Sequence, residues 1–349
     1  MLSLLAALHL NCIAPLPHLK QNTGSSFMLR ALAKRLPPPL LMRIHHHYQL
    51  AQQSALAREL SGRTGLPLLE TLDLPRLKTS DTVFVLGSGP SINEIPDARW
   101  DVIGRHDSIA MNFWPVHAFV PRIYLFENIC RAEDDALMFD ALQGLLQRRA
   151  EDYRNTVKIV SELRPLDSRQ LIVEMPEAFR ELLYIGYSAT VVARDERELV
   201  AGIHYLLAKG VFDQGNQINW HFKYAGSVIA AMSLAVRMGY RRIVLCGIDL
   251  GKAEYFYQHP ALYPVASQWE FAPRNHLYPA ARRLKWLVPA PEVIIHFKRE
   301  VLDPGRIELF VESRSSKLFP EVPEISQGLF EQLATTAGAG TSSRVQGIR

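Results

Sequence analysis

Within "VFVLGSGPSINEI" (83–95), residues Gly87 to Ser91 have the types and spacing that phosphate chemistry asks for. Gly87 and Gly89 permit a tight turn and close backbone approach, and Pro90-Ser91 can start a helix whose first amides face an anion. A plain strand-to-helix turn would use the same residues, so the loop is weakly specific by itself. Its familiar owners can be tested in turn. A P-loop needs GxxxxGK[ST], and no Lys follows at that spacing. A dinucleotide fingerprint would place a third glycine at 92, which is Ile92, and an acid at the end of the next strand for the ribose hydroxyls. That strand, "DSIAMNF", ends in Asn112. An amide both donates and accepts, so it suits a nucleobase or sugar edge better than an acid does. NAD enzymes and S-adenosylmethionine methyltransferases are demoted together.

Other chemistry-bearing residues carry less. His45, His46 and His47 are adjacent on a predicted helix, point in different directions and cannot share a metal. "EDD" at 133–135 reads as the solvated first turn of a helix rather than a metal motif. Cys12, Cys130 and Cys246 lie far apart, without metal spacing or a disulfide framework, so a reducing cytoplasm is the simplest setting.

The elements that must hold these residues alternate. "TVFVLG", "DSIAMNF", "RIYLFEN" and "RRIVLCGID" are short runs suited to buried parallel strands. Between the later ones lie the helical stretches 131–150, 195–210 and 226–240. The pattern predicts an α/β fold: a doubly wound, Rossmann-like, mostly parallel sheet with its ligand at the carboxyl ends of the strands. Residues 1–78 read as a basic, Leu- and Pro-rich helical extension, with a helix after "RLPPPLL" ended by Gly62 and Gly65. Residues 79–331 form the main domain, and 332–349 a disordered tail. The aromatic, irregular stretch from about 250 to 276 is long for a loop in a compact domain and suits a lid.

With the second half of the domain the chain resembles the bacterial sialyltransferases of glycosyltransferase family 42 and the related motility-associated glycosyltransferase-like proteins. The segments that carry the likeness are "VLGSGPSINEI", "SIAMNFW" with "RIYLFEN", and above all "AGSVIAAMSLAVRMGYRRIVLCGIDLGKAEYFY". Together they span about residues 82 to 290. The resemblance implies a GT-A-like variant of the fold and an inverting, metal-independent transfer of a sugar acid from a CMP-activated donor, with no cofactor. The acceptor is expected to be a cell-surface glycan or a lipid-linked one. Gly87, Ser88, Gly89 and Ser91 would contact CMP; Asn112, Asn128, Ser227 and Asp249 would complete the donor site. Tyr257, with Tyr255 nearby, would support the leaving phosphate, and His276 would be the general base, with His259 as fallback. An imidazole with a pKa near 6.5 is matched to taking the acceptor's proton at neutral pH. Hydroxyls and backbone amides can stabilise the departing phosphate.

The chain departs from that family at Ser88, Gly251, Tyr224 and Glu127, where the family has an asparagine, a tyrosine, an arginine and an asparagine. A carboxylate at 127 would repel a CMP phosphate, so the nucleotide-sugar class is better supported than sialic acid itself. Another nucleotide-dependent transferase, such as a pterin pyrophosphokinase-like enzyme, and a degenerate binding module stay open.

Charge narrows the partners. The net charge of +4 conceals nine basic against three acidic residues in 1–80, so the rest is slightly acidic and a nucleic-acid role is disfavoured. The basic leader can rest on the inner face of an anionic inner membrane, although a solvated extension explains it equally well. A homo-oligomer is left open. No run is long and apolar enough to span a bilayer.

Overall fold

The computed structural model describes residues 37–129, 131, 136–163, 169–191, 193–224, 226–251, 254–269 and 288–336. Among them, β1 (Thr82–Leu86), β2 (Asp107–Met111), β3 (Ile123–Glu127), β4 (Val157–Glu162) and β5 (Leu183–Ile185) come first in the chain. Then follow β6 (Tyr187–Ala189), β7 (Trp220–Phe222), β8 (Arg242–Cys246) and β9 (Glu308–Val311). Seven form one parallel sheet in the order β5-β4-β3-β2-β1-β8-β9, while β6 and β7 pair separately. Every residue of β1 and β2 is buried. A sheet covered on both faces selects such largely apolar runs, and the polar Thr82, Asp107 and Ser108 sit at the amino ends of these two strands.

Strand β1 sits between β2 and β8, with Val85 in register with Ile109 on one side and Leu245 on the other. From β1 the chain builds outward to β5 and then returns to add β8 and β9 on the opposite side. The strand order therefore reverses between β1 and β8, and the carboxyl edge at such a reversal is where the crevice of a Rossmann-like fold lies.

The flanking helices are α1 (Pro38–Thr64), α2 (Asp97–Ile103), α3 (Ala136–Arg148), α4 (Leu171–Glu174), α5 (Glu177–Arg180) and α6 (Glu196–Leu207). They continue with α7 (Ser227–Met238), α8 (Ala290–Phe297) and α9 (Gln327–Thr336). Helix α6 starts on Asp195, whose carboxylate accepts from Glu198 N at 2.9 Å, the usual satisfaction of an orphan first-turn amide. Helix α7 is buried along its whole length, as a helix apolar on every side must be. Its one charged residue, Arg237, is fully buried and donates to the carbonyls of Asn216, Ile218 and Trp220.

Two expected boundaries move. The core does not stop at Thr79: Leu66, Leu69, Leu72, Leu74 and Leu77 join it, and α1 docks through buried Met42, His45, His46, Ala57 and Leu60. His46 Nδ1 meets Thr190 O at 3.2 Å, and Gln49 accepts from Thr190 N at 3.0 Å. Residues 37–78 are thus part of the domain rather than an extension of it. Gly62 lies inside α1, which ends at left-handed Gly65 alone. At the other end, residues 332–336 continue α9; Leu333 is buried and its carbonyl meets His106 Nε2 at 3.1 Å. Cys130 and residues 133–135 lie outside the described residues. No helix among the described residues is long and apolar enough to cross a membrane.

Candidate functional site

The crevice at the β1–β8 reversal opens into a cleft of about 600 Å³, its solvent-filled mouth included. Close crossing of two loops shapes its floor. Gly87 N donates to Cys246 O at 2.8 Å, and Gly89 N to Gly247 O at 2.7 Å. A Cβ on Gly87 would sit 2.6 Å from Gly247 O; one on Gly89 would sit 2.8 Å from the same oxygen and would run into the Asp249 carboxylate. Gly247 has φ +65° and packs on Ile92. The glycines are thus required by the crossing itself, whether or not a ligand approaches them.

Asp249 completes this crossing. Its carboxylate accepts from Ser91 N at 3.0 Å and from Ser315 Oγ at 3.2 Å, and the residue is buried although it borders the cleft. Its carboxylate is engaged in holding the glycine loop to the loop after β8. Ser91 itself is not part of the cleft lining, and its hydroxyl is buried. The helix expected from Pro90 is only a 3₁₀ turn, Pro90–Glu94. Uncapped helix ends reach the cleft elsewhere: α7 begins beside Gly226, at φ +149° and without a side-chain cap, and α8 begins at Ala290. Main-chain amides at these helix ends are the groups available to an anion, since Gly87 N, Gly89 N and Ser91 N are already spent on the loop crossing. The cleft-lining side chains described include two acids, Asp249 and Glu254, and neither Lys nor Arg.

Asn112 leaves β2 in the left-handed region, φ +58°, which Asn tolerates better than most residues. Its amide N–H donates to Leu125 O at 3.2 Å, and its carbonyl accepts from Tyr124 Oη. The side chain turns to the start of α7, where Ser227 Oγ is 3.5 Å from Asn112 Oδ1 and 3.5 Å from Glu127 Oε1. Behind Ser227, Lys223 Nζ lies 2.6 Å from Glu127 Oε1 and 2.6 Å from Glu162 Oε2. Burial works against the Lys223 ammonium, but the two carboxylates outweigh it and raise its pKa, so it stays charged. Asn128 is one place too far along: buried, it donates to Gln170 Oε1 and accepts from Ile172 N, so both ends of its amide serve α4 rather than the cleft. Tyr224 is likewise structural, donating to Ala193 O and accepting from Val288 N.

The segment after β8 that the sequence suggested as a lid is fastened to the glycine loop by its backbone. Phe256 N donates to Ser88 O at 2.9 Å, and Asn93 Nδ2 donates to Phe256 O at 2.9 Å. This anchoring brings Tyr255 and Glu254 to the cleft wall. Tyr257 does not reach the lining. It stacks behind Tyr255, with centroids 5.2 Å apart and planes at 22°, and packs on Phe113 and Trp269. Burial, reinforced by Tyr255, holds its phenol protonated far above the usual range. His117 packs against Trp100, Trp114 and Phe256, and burial lowers its pKa to about 4, with Arg149 adding to the effect. His259 is exposed and off the cleft lining. His276 lies outside the described residues.

Of the residues singled out from sequence, Gly87, Ser88, Gly89, Asn112, Ser227, Asp249 and Tyr255 come together around one cleft. Sequence reasoning missed Gly226, Gly247, Leu250, Glu254 and Ala290. Gly247 had a signal, as the glycine of a second strand-to-loop junction beside the first. Leu250, held at φ +56°, had none. Among the described residues no group of three or more His, Cys, Asp or Glu is placed to hold a metal ion. Comparison with protein-family models and with curated protein sequences finds no match to the chain. What fold and cleft define together is a Rossmann-like α/β protein with its crevice at the topological switch point.

Proposed function

We propose that the cleft binds a nucleotide-activated sugar and that the protein is a glycosyltransferase using a CMP-linked donor. The observation that carries this reading is the meeting of the Gly87–Gly89 turn, the uncapped start of α7 and the Asn112 side chain around one switch-point cleft. Amides at the start of α7 suit a phosphate, the glycine turn lets a ligand come close to the main chain, and an amide side chain suits a sugar or base edge. The resemblance drawn from sequence supplies the reaction. An acceptor hydroxyl of a cell-surface glycan or lipid-linked sugar attacks the anomeric carbon. The bond from that carbon to the phosphate oxygen breaks, CMP leaves as an anion, and the hydroxyl proton passes to a base, for which His276 is the proposed residue. The configuration at the anomeric carbon inverts.

Calorimetry with CMP, NAD and S-adenosylmethionine tests the reading. Selective CMP binding is expected, and it should weaken about tenfold or more in Asn112→Gly, which tolerates the left-handed backbone yet lacks the amide. Equal binding of all three, or of none, rejects it. A second reading, transfer from a metal-bound nucleotide triphosphate as in a pterin pyrophosphokinase-like enzyme, is favoured by the carboxylates of Asp249 and Glu254 on the cleft wall. Binding of ATP only with Mg²⁺ would select it.

A further inference from the structure

The loop that leaves β9 carries a cation to the rim of the cleft. Strands β8 and β9 are parallel neighbours, so the chain after Val311 emerges at the same carboxyl edge as the loop after β8. Three contacts pin the two loops together. Ser316 Oγ donates to Ile248 O at 2.6 Å, Ser315 Oγ to the Asp249 carboxylate at 3.2 Å, and Lys317 N to Asp249 O at 2.9 Å. Ser316 and Leu318 are buried, which fixes the backbone on both sides of Lys317, while Lys317 itself is exposed. Its stem lies along Gly251, the residue after cleft-lining Leu250: a Cβ on Gly251 would meet Lys317 Cε at 3.0 Å and Cγ at 3.1 Å. Gly251 is outside the left-handed region, so its backbone conformation does not demand glycine; the space it leaves is what seats the lysine. The Lys317 ammonium forms no ion pair or hydrogen bond among the described residues, although Asp249 and Glu254 stand on the nearby cleft wall. Its charge is therefore uncommitted.

Resting on the nucleotide-sugar reading, we infer that Lys317, seated over Gly251, is a phosphate-binding residue that swings from the rim onto the anionic group of a bound nucleotide. The demand for such a cation comes from the rest of the cleft. A terminal nucleotide phosphate carries about two negative charges at neutral pH. The cleft lining offers it two carboxylates and, among the described residues, neither Lys nor Arg. The amides of Gly87, Gly89 and Ser91 are spent on the loop crossing, and a helix end supplies about half a positive charge at most. A lysine on a fixed backbone, with a flexible stem and no partner to give up, supplies the missing charge at little cost.

The experiment is calorimetric titration of CMP and of cytidine, which lacks the phosphate, into the full chain as wild type, Lys317→Met, Lys317→Arg, Gly251→Ala and the double variant Gly251→Ala/Lys317→Met. Thermal melts confirm folding. Lys317→Met keeps the stem and removes the charge, and should weaken CMP about tenfold while leaving cytidine unchanged. Lys317→Arg, which keeps the charge, should retain most of the CMP affinity. Gly251→Ala meets only the flexible lysine tip at close range, so it should unseat the ammonium without unfolding the chain and weaken CMP by part of that factor. Because both changes act through one ammonium, the double variant should bind CMP no more weakly than Lys317→Met alone. The inference is overturned if Lys317→Met binds CMP as wild type does, if it weakens cytidine as much as CMP, or if the two losses add in the double variant. Failure of both CMP and cytidine to bind wild type removes the nucleotide-site reading, and the inference with it; CMP binding that Lys317→Met leaves unmoved removes the inference alone.

Discussion

Gly89 shows how much of the cleft depends on single atoms. Its missing side chain leaves room for Gly247 O and the Asp249 carboxylate, the groups that tie the loop after β1 to the loop after β8. Gly89→Ala should cost about 1–3 kcal/mol in urea denaturation, because the carbonyl is main chain and cannot swing aside. The same residue explains a mixed outcome in reading the site from sequence. Gly-Ser-Gly after a strand was recognised as a close-approach turn, but which partner approaches is a tertiary fact, and here another loop does so. Asn128 was misplaced for a similar reason. Adjacent residues at a strand end face opposite ways, so an error of one position exchanges the cleft for the interior; Glu127, not Asn128, stands at the Ser227 corner.

At the scale of elements, β1, β2, β3 and β8 announced themselves through short, largely apolar runs, whereas β4, β5 and β9 of the same sheet were not read from sequence. Helix α1 did not announce its docking. Its buried face includes His45 and His46 beside Met42, Ala57 and Leu60, so polar residue types break the stripe that would mark a packed helix. The aromatic, irregular stretch after β8 was legible as such, while its fastening through the Phe256 backbone was not, since main-chain hydrogen bonds leave no trace in residue type. Gly62 offers a test confined to α1. It is exposed near the end of the helix, and nothing lies within 4 Å of a Cβ placed there. Gly62→Ala should raise stability by about 0.5–1 kcal/mol, measured as a higher urea midpoint at unchanged slope.

For the whole molecule, buried titratable groups set a pH profile. Burial first, then Arg237 and Lys223, lowers the His221 pKa to about 3, and burial with Arg149 lowers His117 to about 4. Below pH 6.5 the unfolded chain binds protons that these rings refuse, so stability falls as pH drops from 6.5 toward 4. Lys158 acts at the other end. Buried in β4 and donating to Tyr153 O, its pKa is lowered to about 7, chiefly by burial. Between pH 7 and 10.5 the unfolded lysine is protonated and the folded one is not, so stability rises across that window by up to about 1.4 kcal/mol per pH unit. Urea midpoints at pH 5, 7 and 9 should therefore climb in order, and Lys158→Met should flatten the step from 7 to 9. A fall from 7 to 9 in wild type would contradict the assignment.

The placing of β1 also bears on how the chain is born. Its partner β8 lies 160 residues downstream, as the pairing of Thr82 with Arg242 requires. A polypeptide emerging from the ribosome therefore carries one bare edge along β1 through the synthesis of β2 to β7, an adhesive surface for other nascent chains. The floor of the cleft cannot exist until β8 arrives, so competence to hold a ligand comes late in biogenesis, and a ligand added during refolding should speed none of the steps that precede that docking.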